Sequence, residues 1–518
     1  MPPLGFVRPA LVLAIALAGG AAFAADGVPE SAPAESRAAA AGAPATAPSP
    51  ASAASPAPAA VAPGSPAGPA APAAPAAPAA DGRSVLDRLV GGFDFGSYGR
   101  ILAAGDLRGH PGRPYDLVSH RPRADEKTYL ELDLWYRTEP ATVHVTLAFA
   151  DALFHFDGDF AVKAALRNLY VEAPRFAGVA GLTAWIGSRM LRGDDIYLLD
   201  FWPLDDLNTL GGGLALRVGP ADAPFELQLH AGLNRLDDAW QLQTVAAPGS
   251  GFVPEDVVYL DRARFIASAR ATYERRLAGD LHAKVRLYGE AHRIGAGEIL
   301  TDPAAGTTEP LPADHGWLGG VEIGAWGFGA RQGFVNVFLR AASGLAAYGE
   351  LSVPYGLDVD RRAARAGEWL AGLSANYDVG AAALTVGAYW RLFRDADPNV
   401  FDRDDLREGA FVARLTLQPF ARAHLLLQAS WEGLTTTDLS PVSGARDHPA
   451  AWRFAVMPAW SPFGRGAFTR PHLRLLYTVA LPNADARALQ NPLDPRAAER
   501  AVHFFGVGAE WWFNSSFR

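Results

Sequence analysis

The chain has 518 residues, of which 49% are hydrophobic and only 19% charged, and its mean hydropathy is +0.04. A formal net charge of −9 argues against nucleic acid as a partner, and the absence of cysteine excludes disulfides, thiolate metal sites and cysteine nucleophiles. So much apolar content with so little charge is unusual for a soluble enzyme, and it suits strands that are apolar on alternate positions only. Lys127, Lys163 and Lys284 are lysine and the other basic residues arginine. A GC-rich genome accounts for that bias, although planar guanidinium forks also suit vicinal hydroxyls and carboxylates.

Residues 1–24 have the form of an export signal. Arg8 supplies the positive start, Ala10 to Gly19 the apolar stretch, and Ala22-Phe23-Ala24 the small-residue cleavage site. That stretch is too short to span a bilayer as an anchor, and no later run of eighteen apolar residues follows. Residues 25–82 are almost entirely Ala, Pro, Ser and Gly, which predicts a disordered, semi-rigid spacer that either tethers passively or touches the cell wall. A short amphipathic piece within 83–91, Ser84 to Val90, is placed to cap a periplasmic opening.

From residue 92 to 518 the pattern becomes strand-like alternation. In Tyr129 to Tyr136, Leu130, Leu132, Leu134 and Tyr136 fall on one face, and Tyr129, Glu131, Asp133 and Trp135 on the other. In Leu281 to His292 the set Leu281, Ala283, Val285, Leu287, Gly289, Ala291 alternates with His282, Lys284, Arg286, Tyr288, Glu290, His292. Twelve residues with a polar group at every second position match a membrane-spanning strand. Further strands are expected at 142–149, 265–273, 424–431, 452–460, 469–481 and 503–513. Trp135, Tyr136, Trp431 and Trp511 fit interfacial girdles. The length allows about 16 to 20 strands, and since unpaired backbone is not tolerated in lipid the sheet must close. The fold class is therefore an all-β, transmembrane antiparallel β-barrel, with a water-filled lumen unless a loop plugs it.

Several motifs carry a resemblance. The stretch 166–213 contains Arg167, Trp185-x-Gly187-x-Arg189, Asp195, Asp200-Phe201-Trp202 and a glycine cluster at 211–213. Supporting it are Gly96 to Arg100, Thr128 to Leu132, Thr469-Arg470-Pro471 with Arg474, and the close from Phe505-Gly506 to Glu510-Trp511-Trp512. Together these resemble the maltoporin family of trimeric, eighteen-stranded, carbohydrate-selective outer-membrane porins. The resemblance implies a homotrimer in a Gram-negative outer membrane that passes oligosaccharides by facilitated diffusion and needs no cofactor or metal. It implies an aromatic lane of Tyr98, Tyr129, Phe468 and Trp512, facing a polar track of Arg100, Glu131, Arg167, Asp195 and Asp200, with Arg121 as a further candidate. It also implies a constriction loop, here Arg192 to Gly213, carrying Trp202 and Arg192. Arg470 shares a face with Phe468, His472 and Arg474. Phe468 stands where the family usually has Trp, Trp202 where it has Tyr, and Arg192 one position early. The lane aromatic supplied by a neighbouring subunit would be Phe156 or Phe160.

The chemistry is plain. Aromatic rings stack on the apolar faces of pyranoses at about 1 kcal/mol each. Ionised groups exchange hydrogen bonds with the hydroxyls, and binding stays weak enough for release. The acids Asp194, Asp195 and Asp200 lack a histidine partner for metal or hydrolytic work, and no nucleophile elbow or phosphate-binding loop occurs. A channel is expected, not an enzyme. The rival readings are a general diffusion porin and a structural barrel.

Overall fold

The computed structural model describes residues 92–151, 162–247, 255–303, 305–329, 333–398, 405–436, 439 and 444–514. The expected export signal, spacer and 83–91 segment lie outside the described residues, as do Phe156 and Phe160.

Alternation becomes strand throughout. In chain order the first seven are β1 (Phe93–Gly105), β2 (Tyr129–Arg137), β3 (Thr142–Asp151), β4 (Val162–Pro174), β5 (Leu182–Arg192), β6 (Asp206–Val218) and β7 (Phe225–Asn234). A hairpin of β8 (Leu242–Ala247) and β9 (Glu255–Asp261) precedes β10 (Arg264–Ala278) and β11 (Leu281–Ile294). A second hairpin, β12 (Gly297–Asp302) with β13 (Thr307–Leu311), precedes β14 (Asp314–Phe328) and β15 (Gly333–Gly344). Then follow β16 (Gly367–Val379), β17 (Ala382–Arg394), β18 (Leu406–Leu417), β19 (Ala423–Thr436), β20 (Ala450–Trp460), β21 (His472–Pro482) and β22 (Val502–Phe513). The two hairpins apart, these strands form one 18-stranded antiparallel sheet, and β22 pairs back onto β1 to close it. Closure leaves no strand edge unpaired, the condition for a sheet to cross lipid.

The two faces separate as the alternation predicts. On β11, Val285 and Leu287 are 44% and 58% exposed to the lipid side, whereas Tyr288 and His292 are 7% and 2% exposed toward the lumen. Along β2, Tyr129, Glu131 and Asp133 are buried inside and Leu134 is exposed outside. Trp135 belongs to this inner face, stacked on His144 with centroids 4.9 Å apart, so it is not part of a lipid-facing girdle. Two other expectations need correction. The strand expected from Thr469 begins at His472, leaving Phe468 and Arg470 on the preceding turn. The glycines 211–213 are not loop but lie inside β6, because the wall is crowded there. A Cβ on Gly213 would stand 2.1 Å from Trp185 Cζ2, and one on Gly211 2.1 Å from the Ala231 carbonyl oxygen.

The connections are unequal. One rim has short turns such as 279–280 and 380–381; the other carries long segments at 106–128, 193–205 and 345–366. Short turns face the periplasm and long loops the exterior in such barrels. The 193–205 loop is folded inward, with Ile196 to Leu199 buried against Phe338, Leu370 and Val412 of the wall. Leu345 to Tyr348 join the same apolar cluster from the 345–366 loop.

Candidate functional site

The site forms at the barrel's seam. β1 lies between the last strand and the second, so Tyr98 faces Trp512 on one side and Glu131 on the other. In the same way Arg100 faces Glu510 and Tyr129. Alternation turns all of these side chains into the lumen, and the 193–205 loop brings Trp202 and Tyr197 down onto them.

An aromatic run results. The Tyr98 and Tyr129 ring centres are 6.1 Å apart, and Trp202 completes their buried cluster with Trp512 against it. Tyr197 continues the run, 6.2 Å from Trp512 and 5.2 Å from Phe468. A polar network runs beside it. Arg167 donates to the Tyr129 hydroxyl at 2.6 Å and ion-pairs with Glu131, to which Tyr129 also donates. Arg192 places its guanidinium 4.0 Å from the Trp202 ring centre while its Nε donates to Asp206 at 2.6 Å. Arg470 donates to Glu510 at 2.9 Å, lies 4.2 Å over Trp512, and donates to the Tyr197 hydroxyl.

The ends of the constriction loop are pinned by charge. Asp194 receives Lys284 and Arg286 at 2.5 and 2.6 Å, and Asp205 receives Arg270 at 2.6 Å. Asp200 closes the turn after Leu199 with φ 52, in the left-handed region that aspartate tolerates. Both its carboxylate oxygens lack hydrogen-bond partners, and the nearest cation, Arg123, is 3.7 Å away. Burial pushes the Asp200 carboxyl up to about 6, against the opposing pull of Arg123.

A second inward segment covers the run. After Tyr115 the 106–128 connection crosses the lumen to the far wall. Ser119 N donates to Glu408, His120 stacks on Phe201 at 3.6 Å, and Arg123 N donates to the Leu198 carbonyl at 2.8 Å. Arg453 donates to the Pro122 carbonyl at 3.1 Å and to Asp125 at 3.0 Å. Arg123 then reaches Glu126 at 2.6 Å and the Tyr98 hydroxyl at 3.0 Å. Glu126 also sits 3.3 Å from Arg100. Burial opposes its ionisation, but Arg100 and Arg123 outweigh that and hold its carboxyl at about 2. Beneath this segment Tyr98 is 0% exposed.

Most residues expected from sequence are thus brought together: Tyr98, Tyr129, Trp202, Phe468, Trp512, Arg100, Glu131, Arg167, Arg192, Asp200 and Arg470. Asp195 is buried at the start of the constriction loop. Arg121 is set apart, paired with Asp116 and Asp125. Sequence reasoning passed over Tyr197, Arg123 and Glu126. The only signal for the last two was the charge cluster from Arg121 to Lys127 ahead of β2. Among the described residues no group of three or more histidines and carboxylates is placed to hold a metal ion.

The sequence profile of the LamB porin family matches residues 93–513, the whole barrel. The chain belongs to the LamB porin family. It is accordingly an outer-membrane β-barrel, and family and barrel together point to a channel. Solved structures similar to this LamB porin include three outer-membrane proteins. Escherichia coli Wzi, involved in group 1 capsule assembly and described as a carbohydrate-binding β-barrel, is 11% identical over 83% of this chain and 86% of its own, with a TM-score of 0.39. The Acinetobacter baumannii channel DcaP is 11% identical over 82% and 98%, at 0.39. Pseudomonas aeruginosa OccD3 is 10% identical over 82% and 91%, at 0.37. No curated protein sequence matches this LamB porin.

Proposed function

We propose that this LamB porin conducts oligosaccharides of the maltodextrin type by facilitated passive diffusion, as a homotrimer. The observation that carries the reading is the aromatic run: rings from distant parts of the sequence, such as Tyr197, Phe468 and Trp512, join Tyr98 and Tyr129 with neighbouring centres 5.2 to 6.2 Å apart inside the barrel. Arg100, Arg167 and Arg470 beside Glu131 and Glu510 provide donors and acceptors for hydroxyls along the same wall. Trp202, with Arg192 on its face, marks the entrance from the constriction loop. In this reading residues 1–24 direct export, 25–82 are a tether that touches the cell wall or hangs free, and 83–91 close on the periplasmic side.

One observation favours a second reading. The crossing segment leaves Tyr98 fully covered, as a plugged, structural barrel would have it. Single-channel current through the purified protein in a planar bilayer, titrated with maltodextrins, separates the two. Saturating block of the current supports a sugar site in the pore. Steady current without block reduces the protein to a general porin, and no current supports the plug.

A further inference from the structure

Several lumenal arginines in this barrel are held by two carboxylates. Arg453 has Asp125 and Glu432, Arg391 has Glu368 and Glu408, and Arg286 has Asp194 and Glu322. Around Tyr197 the balance is different. A single carboxylate, Glu510, serves Arg470 at 2.9 Å and Arg474 at 3.2 Å, while Arg123, 3.7 Å from it, also has Glu126 at 2.6 Å and Asp200 at 3.7 Å. Arg414 has no carboxylate within ion-pair distance among the described residues. Its Nε and Nη2 share the Gln428 Oε1 at 2.9 and 2.7 Å, and Nη2 also takes the Arg123 carbonyl at 2.8 Å. Arg414 is 5% exposed.

Donors are left over at the same place. Arg474 Nε and Gln428 Nε2 are shut off from solvent and have no hydrogen-bond partner. A buried charge is normally paired, because an uncompensated one is strongly destabilising, and each unmet buried donor costs about 1 to 3 kcal/mol. The wall therefore lacks one anion with at least two oxygens. Aromatic faces adjoin the gap, since the Arg414 and Arg123 guanidinium carbons lie 5.9 and 5.4 Å from the Tyr197 ring centre, with Trp512 and Phe468 on its other edges.

We propose that Arg414, Arg474 and Gln428 form a subsite for the ring carboxylate of an acidic sugar, so that the preferred solutes are anionic oligosaccharides such as chains of uronic acids. This rests on the oligosaccharide-channel reading above and puts an anionic class of sugar in place of neutral maltodextrins. The Arg123 carbonyl now on the Arg414 fork occupies the carboxylate's place. A solute carboxylate replaces that neutral acceptor with a full negative charge that the guanidinium fork can bind in bidentate fashion, and it displaces the crossing segment from the lane.

The test compares block of single-channel current by oligogalacturonates and by maltodextrins of equal length. Half-block by the acid is expected at a concentration about tenfold lower, with the gap closing as salt rises. Gln428→Glu supplies the missing carboxylate from the wall itself. It keeps the fold, judged by heat-modifiable gel mobility, and abolishes the preference, as does Arg474→Gln. Equal or better block by maltodextrins overturns the anionic subsite and leaves the sugar channel standing. Block by neither overturns both readings.

Discussion

Arg123→Ala tests whether the crossing segment governs access to the lane. The side chain makes one charge-assisted bond to Glu126 and one bond to the Tyr98 hydroxyl, with weaker attraction to Asp200 and Glu510. A charged hydrogen bond contributes about 1.5 to 3 kcal/mol and a neutral one about 1. Glu126 keeps Arg100 at 3.3 Å, so it is not left as a bare buried charge. The net loss of anchoring is then about 3 kcal/mol, on the order of a hundredfold in the ratio of covered to uncovered lane. In a planar bilayer the variant should show larger or longer openings than wild type and faster entry of sugar. Heat-modifiable mobility should confirm an intact barrel, because no strand residue is substituted. Conductance, open time and sugar on-rate all indistinguishable from wild type would refute the gating role.

Tyr129→Ala and Trp512→Ala each remove one stacking ring, so sugar affinity should fall about fivefold per ring while ion conductance stays the same or rises, measured as current block. The Asp200 carboxyl titrates near 6 in the folded protein, above its ordinary value of 3.8. Its stabilising effect is therefore complete below that ordinary value and is lost as pH rises through 6. Asp200→Asn stays neutral, and its advantage over wild type in thermal midpoint should grow from pH 5 to pH 8; a constant difference would sink the assignment. Gly213→Ala forces a methyl group into Trp185, and the fraction of heat-modifiable, assembled barrel should drop sharply. Lys284→Ala should loosen the Asp194 end of the constriction loop and raise conductance, while Arg286 limits the effect to about 1 kcal/mol.

The barrel was legible because lipid enforces a period of two. Val285 and Leu287 against Tyr288 and His292 reveal the faces without any knowledge of partners. The seam contacts of Tyr98 and Trp512 were reachable through motif resemblance, since each sits in a recognisable strand. Trp135 misled because an aromatic near a strand end looks the same whether it faces lipid or stacks on a lumenal histidine. The crossing segment was hidden for a different reason. Its hold on the lumen comes from bonds such as Arg453 to the Pro122 carbonyl, which join positions 331 apart in sequence and leave no local periodicity. Likewise, nothing in the neighbourhood of Arg414 says that it lacks a counter-charge; only the closed wall does.

The pairing of Tyr98 with Trp512 and Arg100 with Glu510 places the site where the first and last barrel strands meet. These two strands are the most distant in sequence that the barrel joins, and contacts of that kind form late in folding. The lane thus comes into existence only when the cylinder is finished. An unclosed or misregistered intermediate stalled during biogenesis would hold its lumenal charges but have no assembled route for solute. Completion of the barrel and commissioning of the pore are the same event.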